Sequence, residues 1–322
     1  MKWLKRIALG LAGVLVLVVA AAVGFVAWHW APDIPRAELE DRWAGPASRF
    51  LEIDGMEVHV RDEGPKDDAA PILLLHGTSD SLHAWDAWAE ALVADGRRVI
   101  RYDLPGFGLT GPPPSGGLQA ERYLRVHFGV MDALGVERAI MGGNSFGGRI
   151  AWTAALERPE RAAGLILVAA SGLPTEPTEV PPGFALAGLP GVKDALRNTL
   201  PRFLIRMSLE SVYGDPSRVT EAEVDRFMAM TRRAGNRDVV LGRVEFGEFE
   251  NLSHRLPEIA VPALVLWGGE DRLIPPAAAE RFEAGLPDAE AVVIEGLGHV
   301  PHTEGPERTL EAVRAWLARA DL

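Results

Sequence analysis

The chain has 322 residues, 48% of them hydrophobic and 24% charged, which is enough to bury a sizeable core. This composition excludes intrinsic disorder and collagen-like repeats. The formal net charge of −12 argues against nucleic-acid partners, and the absence of Cys excludes disulfides, thiol nucleophiles and Cys-ligated metals.

The N-terminal segment, residues 1–30, predicts a membrane anchor. Only basic charges precede the stretch Ile7–Trp30, which contains no Asp, Glu, Lys or Arg. A membrane-spanning helix needs roughly 20 apolar residues, so this stretch is long enough. By the positive-inside rule, the N-terminus is expected in the cytoplasm and the rest of the chain on the extracytoplasmic side. A cleaved signal peptide is the alternative, because the alanines at 20–22 offer a small-residue cleavage site.

A tether and a hairpin are expected next. Residues 31–48 contain prolines and mixed charges and read as a tether between the anchor and the folded body. Arg49–Asp54 and Met56–Asp62 then alternate in polarity as two short strands, and Asp54-Gly55 between them is a strong hairpin signal.

Continuous apolar runs separated by helical patterns follow, which predicts an α/β fold with a mostly parallel sheet and helices on both faces. The predicted strands are Pro71–Leu75, Arg98–Tyr102, Arg138–Gly142, Gly164–Ala169, Pro262–Trp267 and Ala289–Ile294. The predicted helices are Leu82–Ala94, Leu118–Leu134, Phe146–Glu157, Ala277–Gly285 and Glu307–Arg319. The core is therefore assigned to residues 49–172 and 258–322.

Residues 173–257 interrupt this rhythm. They contain helical patterns around Phe203–Tyr213 and Glu221–Arg233, and they are too many for a plain connection between two strands. The sequence therefore predicts an inserted subdomain here.

Ser145 is the candidate nucleophile. It lies in Gly143-Asn144-Ser145-Phe146-Gly147, which fits G-x-S-x-G directly after a predicted strand and at the start of a predicted helix. A turn this tight needs small neighbours, which the glycines provide. The turn would expose the serine hydroxyl beside the unpaired N–H groups of the helix N-terminus.

A serine nucleophile needs a base and an acid that orients the base. Asp271 directly follows one predicted strand and His299 directly follows the last one, so both lie in loops at carboxyl ends of strands. Ser145, Asp271 and His299 occur along the chain in the Ser, Asp, His order of such a triad. Glu270 is the alternative acid.

Two backbone N–H groups are expected to hold the developing oxyanion. One is the Phe146 amide, which follows the nucleophile, and the other is the Thr78 amide in the loop after the strand that ends at Leu75. The Ser79 amide is the next choice for the second donor. His76 is expected to organise this loop by hydrogen bonding.

Together these residues resemble the α/β-hydrolase fold family from about Arg49 to Arg319. The resemblance rests on His76-Gly77, Asp103-Leu104-Pro105-Gly106-Phe107-Gly108, the Ser145 turn, Gly268-Gly269-Glu270-Asp271 and Gly298-His299. For residues 173–257 the resemblance implies a helical cap over the active site. Because dehalogenases and epoxide hydrolases of this family use a carboxylate at the Ser145 position, the serine implies acyl transfer to water.

No cofactor and no metal is expected. Gly106–Gly111 matches the spacing of a dinucleotide-binding loop, but Pro112–Pro114 forbid the helix that such a loop requires. His299, His302 and Glu304 are spaced like metal ligands, but a neighbouring proline and glycines preclude the regular helix that would place them on one face.

We expect a carboxylic-ester hydrolase for small-molecule esters with apolar or medium-chain acyl groups. Two features motivate this expectation: the stretch Phe184–Leu189 in the expected cap is apolar, and the predicted anchor would hold the chain at a membrane. One alternative is a carbon–carbon bond hydrolase of ring-cleavage products, since Asn144–Gly148 is similar to that subfamily's nucleophile turn, although Val300 stands where those enzymes carry Trp. Haloperoxidase-like or perhydrolase chemistry would use the same triad. A non-catalytic, membrane-tethered binding protein is the alternative from a different class. The sequence leaves the oligomeric state open.

Overall fold

The computed structural model describes residues 2–175, 179–187, 189, 192–242, 244, 247 and 249–322. The strands are β1 Ser48–Ile53, β2 Met56–Glu63, β3 Ile72–Leu75, β4 Val99–Tyr102, β5 Ala139–Asn144, β6 Ala162–Val168, β7 Ala263–Gly268 and β8 Ala289–Ile294. Within the described residues they form one sheet in the order β1-β2-β4-β3-β5-β6-β7-β8. Strands β1, β2 and β4 pair antiparallel, and all the other pairs are parallel.

Helices cover the sheet and extend beyond it. They are α1 Lys2–Trp28, α2 Arg36–Trp43, α3 Asp86–Ala94, α4 Ala120–Ala133, α5 Phe146–Glu157, α6 Pro182–Ala187, α7 Val192–Leu196, α8 Arg202–Val212, α9 Glu221–Arg232, α10 Asn236–Val240, α11 Ala277–Gly285, α12 Pro301–Glu304 and α13 Pro306–Ala320. Met1 of the predicted anchor and Gly188 of the apolar stretch Phe184–Leu189 lie outside the described residues.

The hydrophobic core lies on both faces of the sheet. Every residue of β3, β5, β6 and β7 is buried, as expected for central strands covered on two sides. Along β3 the side chains alternate between two clusters: Leu73 and Leu75 join one, and Ile72 and Leu74 join the other. This arrangement confirms the predicted α/β architecture, a mostly parallel sheet with helices on both faces.

The connection between α1 and the sheet is more ordered than the predicted tether of residues 31–48. It contains helix α2, whose Leu39 is buried in a cluster with Leu109 and Met230. The sequence carries no clear helix signal here because the segment is short and mostly polar, and a short helix gains its stability from packing rather than from its own propensity.

The chain between β6 and β7 contains helices α6 to α10. We call residues 173–257 the cap segment, after the subdomain predicted for them. Its two longest helices, α8 and α9, match the two helical patterns of the sequence. Helix α9 begins with a capping box, in which Thr220 and Glu223 satisfy each other's backbone N–H groups.

Helix α1 contains a stretch, Lys5–Trp28, that is long and apolar enough to cross a membrane, judged by length and composition. None of the described side chains of this stretch is buried against the rest of the protein. A signal sequence would meet the same criteria.

Candidate active site

Ser145 occupies a strained turn between β5 and α5. Its φ of 53° and ψ of −115° are uncommon for a residue other than glycine. Backbone hydrogen bonds hold the turn: Ser145 N donates to Val168 O at 3.0 Å, and Ser145 O accepts from Ser171 N at 3.0 Å and from Arg149 N at 3.1 Å. Because these partners fix the turn from several sides, the strained conformation persists.

The glycines around Ser145 are required by close contacts. A Cβ on Gly143 would lie 2.3 Å from the carbonyl carbon of Gly147. A Cβ on Gly147 would in turn lie 2.3 Å from the carbonyl oxygen of Leu75. Both distances are far below van der Waals contact, so the G-x-S-x-G pattern has a steric cause in this fold.

His299 and Asp271 form a buried pair. His299 Nδ1 lies 2.8 Å from Asp271 Oδ2, while Asp271 Oδ1 accepts hydrogen bonds from the backbone N–H groups of Leu273 and Ile274, each at 2.9 Å. With the Nδ1 proton directed at the carboxylate, Nε2 is left with a free lone pair. Glu270, the alternative acid, is exposed.

The backbone around His299 is also tied to its neighbours. His299 O accepts from Asn144 Nδ2 at 3.0 Å, so His299 is bonded to the residue that precedes Ser145. His299 N donates to Val212 O of α8 at 2.7 Å. Ser145 and His299 line the same cavity.

Phe146 and Thr78, whose amides are the two predicted oxyanion donors, come from a helix start and a loop that both meet at Ser145. Phe146 is the first residue of α5, and the amides of a first helical turn have no partner within the helix. Thr78 belongs to the β3 loop, which we define as His76–Ser81, and it lines the same cavity as Ser145. A Cβ on Gly77 would lie 3.4 Å from the Ser145 Cβ, which shows how closely this loop approaches the nucleophile.

His76 joins the β3 loop to the next strand end. Its Nδ1 lies 2.7 Å from Gly77 O, and its Nε2 accepts from Leu104 N at 2.9 Å. Both ring nitrogens of the buried His76 therefore bond to backbone groups, one in the β3 loop and one after β4, which is consistent with the expected role of His76 in organising the loop. Burial lowers the pKa of His76, which favours the neutral ring that these two bonds require.

Asp103 fixes the loop that resembles the shared loop of the family. Its carboxylate accepts from the backbone N–H groups of Leu82 and Leu109, both at 2.7 Å, and lies 2.8 Å from His59 Nδ1. Burial alone would raise the pKa of Asp103, but attraction to His59 and the hydrogen bond from it lower that pKa. Asp103 is therefore an ionised structural group of this loop.

Residues that resembled cofactor or metal motifs have other contacts. His302 stacks on Trp85 with ring centroids 4.1 Å apart. Glu304 accepts from the backbone N–H groups of Gly214, Asp215 and Gly298, at 2.7–3.0 Å. The described residues contain no group of three or more His, Asp or Glu arranged to hold a metal ion. The Gly-rich stretch at 106–111 is a series of turns.

The cavity above Ser145 has a volume of about 430 Å³, a normal size for a small-molecule site. Most of its walls are apolar, and much of this surface comes from the cap segment. Its apolar lining residues include Val180, Phe184, Leu196, Leu200, Leu204, Ile205, Leu209, Val212, Phe227, Val240, Leu241, Leu273 and Val300.

Several polar residues of this cavity were not singled out in the sequence analysis. Asp80, Tyr213, Glu223 and Arg226 all line it. No motif marks them, because they meet only when the cap segment folds over the β3 loop. In the pattern of α9, Arg226 cannot be distinguished from a charged residue on the solvent-facing side of an amphipathic helix.

A family model described as alpha/beta hydrolase fold matches residues 70–306. A curated relative, a 2-hydroxy-6-oxononadienedioate/2-hydroxy-6-oxononatrienedioate hydrolase from a Pseudomonas species, is 31% identical over 282 residues, which cover 85% of this chain and 97% of that protein.

Two solved structures show similar folds. A membrane phospholipase A, described as a bacterial virulence factor, has 27% identity and a TM-score of 0.71, and the match covers 98% of this chain and 99% of the other. A meta-cleavage product hydrolase from Pseudomonas fluorescens has 26% identity and a TM-score of 0.72, with 84% of this chain and 98% of the other covered.

Proposed function

The chain belongs to the α/β-hydrolase fold family, and we propose that it hydrolyses carboxylic esters with apolar acyl groups through an acyl-enzyme at Ser145. Membership of this family and its hydrolase relatives make the chain an enzyme, so the non-catalytic alternative no longer applies. The observation that carries the proposal is one apolar cavity that contains both Ser145 and His299.

The proposed reaction begins with attack of Ser145 Oγ on the ester carbonyl carbon, while His299 Nε2 takes the hydroxyl proton. Asp271 holds the His299 ring and stabilises the imidazolium that forms. The tetrahedral oxyanion accepts hydrogen bonds from the Thr78 and Phe146 amides. When the intermediate collapses, the ester C–O bond breaks and His299 returns the proton to the leaving alcohol.

Deacylation repeats these roles with water. His299 Nε2 takes a proton from a water molecule, whose oxygen attacks the acyl carbonyl carbon. The second tetrahedral intermediate then releases the carboxylic acid, and the proton on His299 returns to Ser145 Oγ. No cofactor enters either half of this reaction.

An apolar acyl group suits this cavity because the charged groups in its wall are already paired. Arg226 and Arg237 line it, but each has internal partners. Arg226 is paired with Asp80, and Arg237 donates to the carbonyl oxygens of Ala31 and Arg197 at 2.7 and 2.6 Å. Because the described arginines of the cavity wall already have these partners, a dicarboxylate would have to compete with them, whereas an alkyl chain gains about 25 cal/mol for each Å² of apolar area removed from water.

We further propose that the ester comes from a membrane. The match to the membrane phospholipase A covers 98% of this chain. The remaining 2% is much shorter than the 27 residues of α1, so the match includes most of that helix. One exposed apolar side chain of the cap segment, Phe203, lies near the end of α1, with its ring 5.8 Å from the ring of His29. An N-terminus in the cytoplasm, with the catalytic residues outside it, remains part of this proposal.

A carbon–carbon bond hydrolase of ring-cleavage products is the second candidate. The curated relative and the meta-cleavage product hydrolase favour it, because their names describe that activity. Val300 after His299 and the paired arginines of the cavity favour the ester instead. The two reactions share Ser145, so only substrates distinguish them.

The test uses the full chain in detergent micelles with p-nitrophenyl esters of increasing acyl length and a 2-hydroxy-6-oxo-dienoate ring-cleavage product. We expect ester hydrolysis that improves with acyl length, and fluorophosphonate labelling that peptide mapping assigns to Ser145. Ser145→Ala should lower kcat by about 10⁶-fold and abolish labelling. Faster cleavage of the dienoate than of every ester would establish the second candidate, and labelling that survives Ser145→Ala would overturn the site.

A further inference from the structure

One part of the cavity wall is charged, and the proposed reaction does not use it. Arg226 Nη2 of α9 lies 3.4 Å from Asp80 Oδ1 of the β3 loop, and each side chain is only 11% exposed. Arg226 Nε is fully buried and has no hydrogen-bond partner among the described residues. Buried ion pairs with incomplete hydrogen bonding do little for stability, so this pair calls for another explanation.

The β3 loop is under backbone strain at the residue before Asp80. Ser79 has a φ of +66°, in the left-handed region that non-glycine residues rarely adopt, and its buried hydroxyl has no partner among the described residues. Strain of this kind persists only where neighbouring groups hold it. Within the loop, Asp80 N donates to Gly77 O at 3.3 Å and Asp80 Oδ1 accepts from Ser81 N at 2.8 Å. Arg226 holds the same carboxylate from outside the loop.

Helix α9 is itself held firmly, so it can serve as an anchor for Arg226. Its N-terminus is closed by the Thr220 and Glu223 capping box, and the hydroxyl of Tyr213 donates to the Glu223 carboxylate. Just before Tyr213, Val212 O accepts the His299 amide. The cap segment is thus bonded to the His299 backbone at one point and to the β3 loop at another.

We propose that Asp80 and Arg226 are positioning residues, which hold the β3 loop so that the Thr78 N–H points at the oxyanion. This inference rests on the proposed ester hydrolysis for the identity of the oxyanion. Hydrogen bonds weaken steeply with misalignment, so a small rotation of the Thr78 amide lowers transition-state stabilisation. The acyl chain binds to apolar walls, so its affinity does not depend on this pair.

The experiment compares Asp80→Asn, Arg226→Gln and the double variant in the full chain in detergent micelles. We expect each single variant to lower kcat for p-nitrophenyl butyrate by roughly 10- to 100-fold while KM changes by less than about threefold. The double variant should lose less than the product of the two single losses, because an amide pair can replace the ion pair. Arg202→Gln is the matched control, since Arg202 is a cap-segment arginine whose partners Glu221 and Asp225 lie at the surface.

A second readout separates positioning from folding and from the choice of substrate. The rate of fluorophosphonate labelling at Ser145 needs no ester, and we expect it to fall in parallel with kcat. Arg226→Lys keeps the charge and should recover part of the rate, and the melting temperature identifies any variant that fails to fold. If Arg226→Gln does not fold, Asp80→Asn and Arg226→Lys provide the same comparison.

Losses confined to KM, or a double variant whose loss equals the product of the single losses, would overturn the positioning role. A wild-type chain that is labelled but cleaves no ester would instead overturn the proposed function. The labelling rates of the variants would still test the pair in that case.

Discussion

At the scale of single residues, the pairing of His299 with Asp271 determines which ring nitrogen can act as a base. The carboxylate accepts a hydrogen bond from His299 Nδ1–H at 2.8 Å and is itself held by two backbone N–H groups, so the ring is fixed in both orientation and tautomer. A neutral amide in place of the carboxylate would keep the size of the side chain but could direct an N–H at Nδ1. The ring would then present the wrong tautomer to Ser145.

We therefore expect Asp271→Asn to lower kcat for p-nitrophenyl esters by about 10⁴-fold with little change in KM. Glu270→Gln is the matched control, because Glu270 directly precedes Asp271 and its side chain is exposed. This substitution should leave kcat near the wild-type value. Steady-state kinetics on the full chain measure both. If Glu270→Gln proved the more damaging substitution, the acid would have been assigned to the wrong residue.

At the scale of elements, the segment after α1 is bonded to the cap segment on two sides. Ala31 N donates to Asn198 O at 2.8 Å, and Ala234 N donates to Ile34 O at 2.9 Å. Arg237, which is buried, donates to Ala31 O at 2.7 Å. The helix that would lie in the membrane is therefore connected to the helices above the active site by hydrogen bonds as well as by the chain.

Arg237→Ala tests this connection. Loss of the guanidinium leaves the carbonyl oxygens of Ala31 and Arg197 without their donor, at a cost of about 1–3 kcal/mol. We expect the Ala31 and Ala234 amides to exchange hydrogen about ten- to a hundredfold faster, as measured by hydrogen–deuterium exchange. Arg255→Ala, which removes a surface pair with Glu258, should leave these amides protected. Unchanged exchange in Arg237→Ala would show that the backbone contacts alone hold the segment.

At the scale of the whole molecule, the exposed large apolar side chains that follow Trp30 are concentrated in the cap segment. Beyond Trp30, the exposed large apolar residues of the described chain are Val180, Phe184, Leu186, Leu189, Phe203, Met207 and Val293. All but Val293 belong to the cap segment. Exposed apolar groups gathered in one segment are expected of an interaction surface, and together with α1 they motivate the proposed contact with a membrane.

The double substitution Phe203→Glu and Met207→Glu places two charges on one face of α8, four residues apart. We expect hydrolysis of a long-chain ester embedded in phosphatidylcholine vesicles to fall at least roughly tenfold, because charged groups enter the lipid interface poorly. Hydrolysis of water-soluble p-nitrophenyl butyrate should stay near the wild-type rate.

Val293→Glu is the control for this substitution, since Val293 is exposed on the edge strand β8. Equal losses on both substrates would mean that the charges disturb the active site rather than membrane contact.

Much of the core followed from the sequence because its signals are local. Central strands are continuous apolar runs, and the turn at Ser145 is encoded by glycines whose Cβ positions are blocked by backbone atoms a few residues away or on the adjacent strand. Predicted and observed strand ends differ by a residue or two: β5 continues to Asn144, beyond the predicted end at Gly142, because Asn144 still pairs with Val168. Helix α2 was missed, since its stability comes from burying Leu39 against distant residues.

The amino-acid sequence was sufficient to predict the α/β-hydrolase fold, the strand ends that carry Ser145, Asp271 and His299, and a helix apolar enough to enter a membrane. The three-dimensional contacts were needed to show that Asp271 rather than Glu270 faces His299, that the segment after α1 is bonded to the cap segment, and that Arg226 meets Asp80. The physical reason is range. Periodicity and turn chemistry act over a few residues, whereas ion pairs and hydrogen bonds between distant segments exist only after folding has brought those segments together.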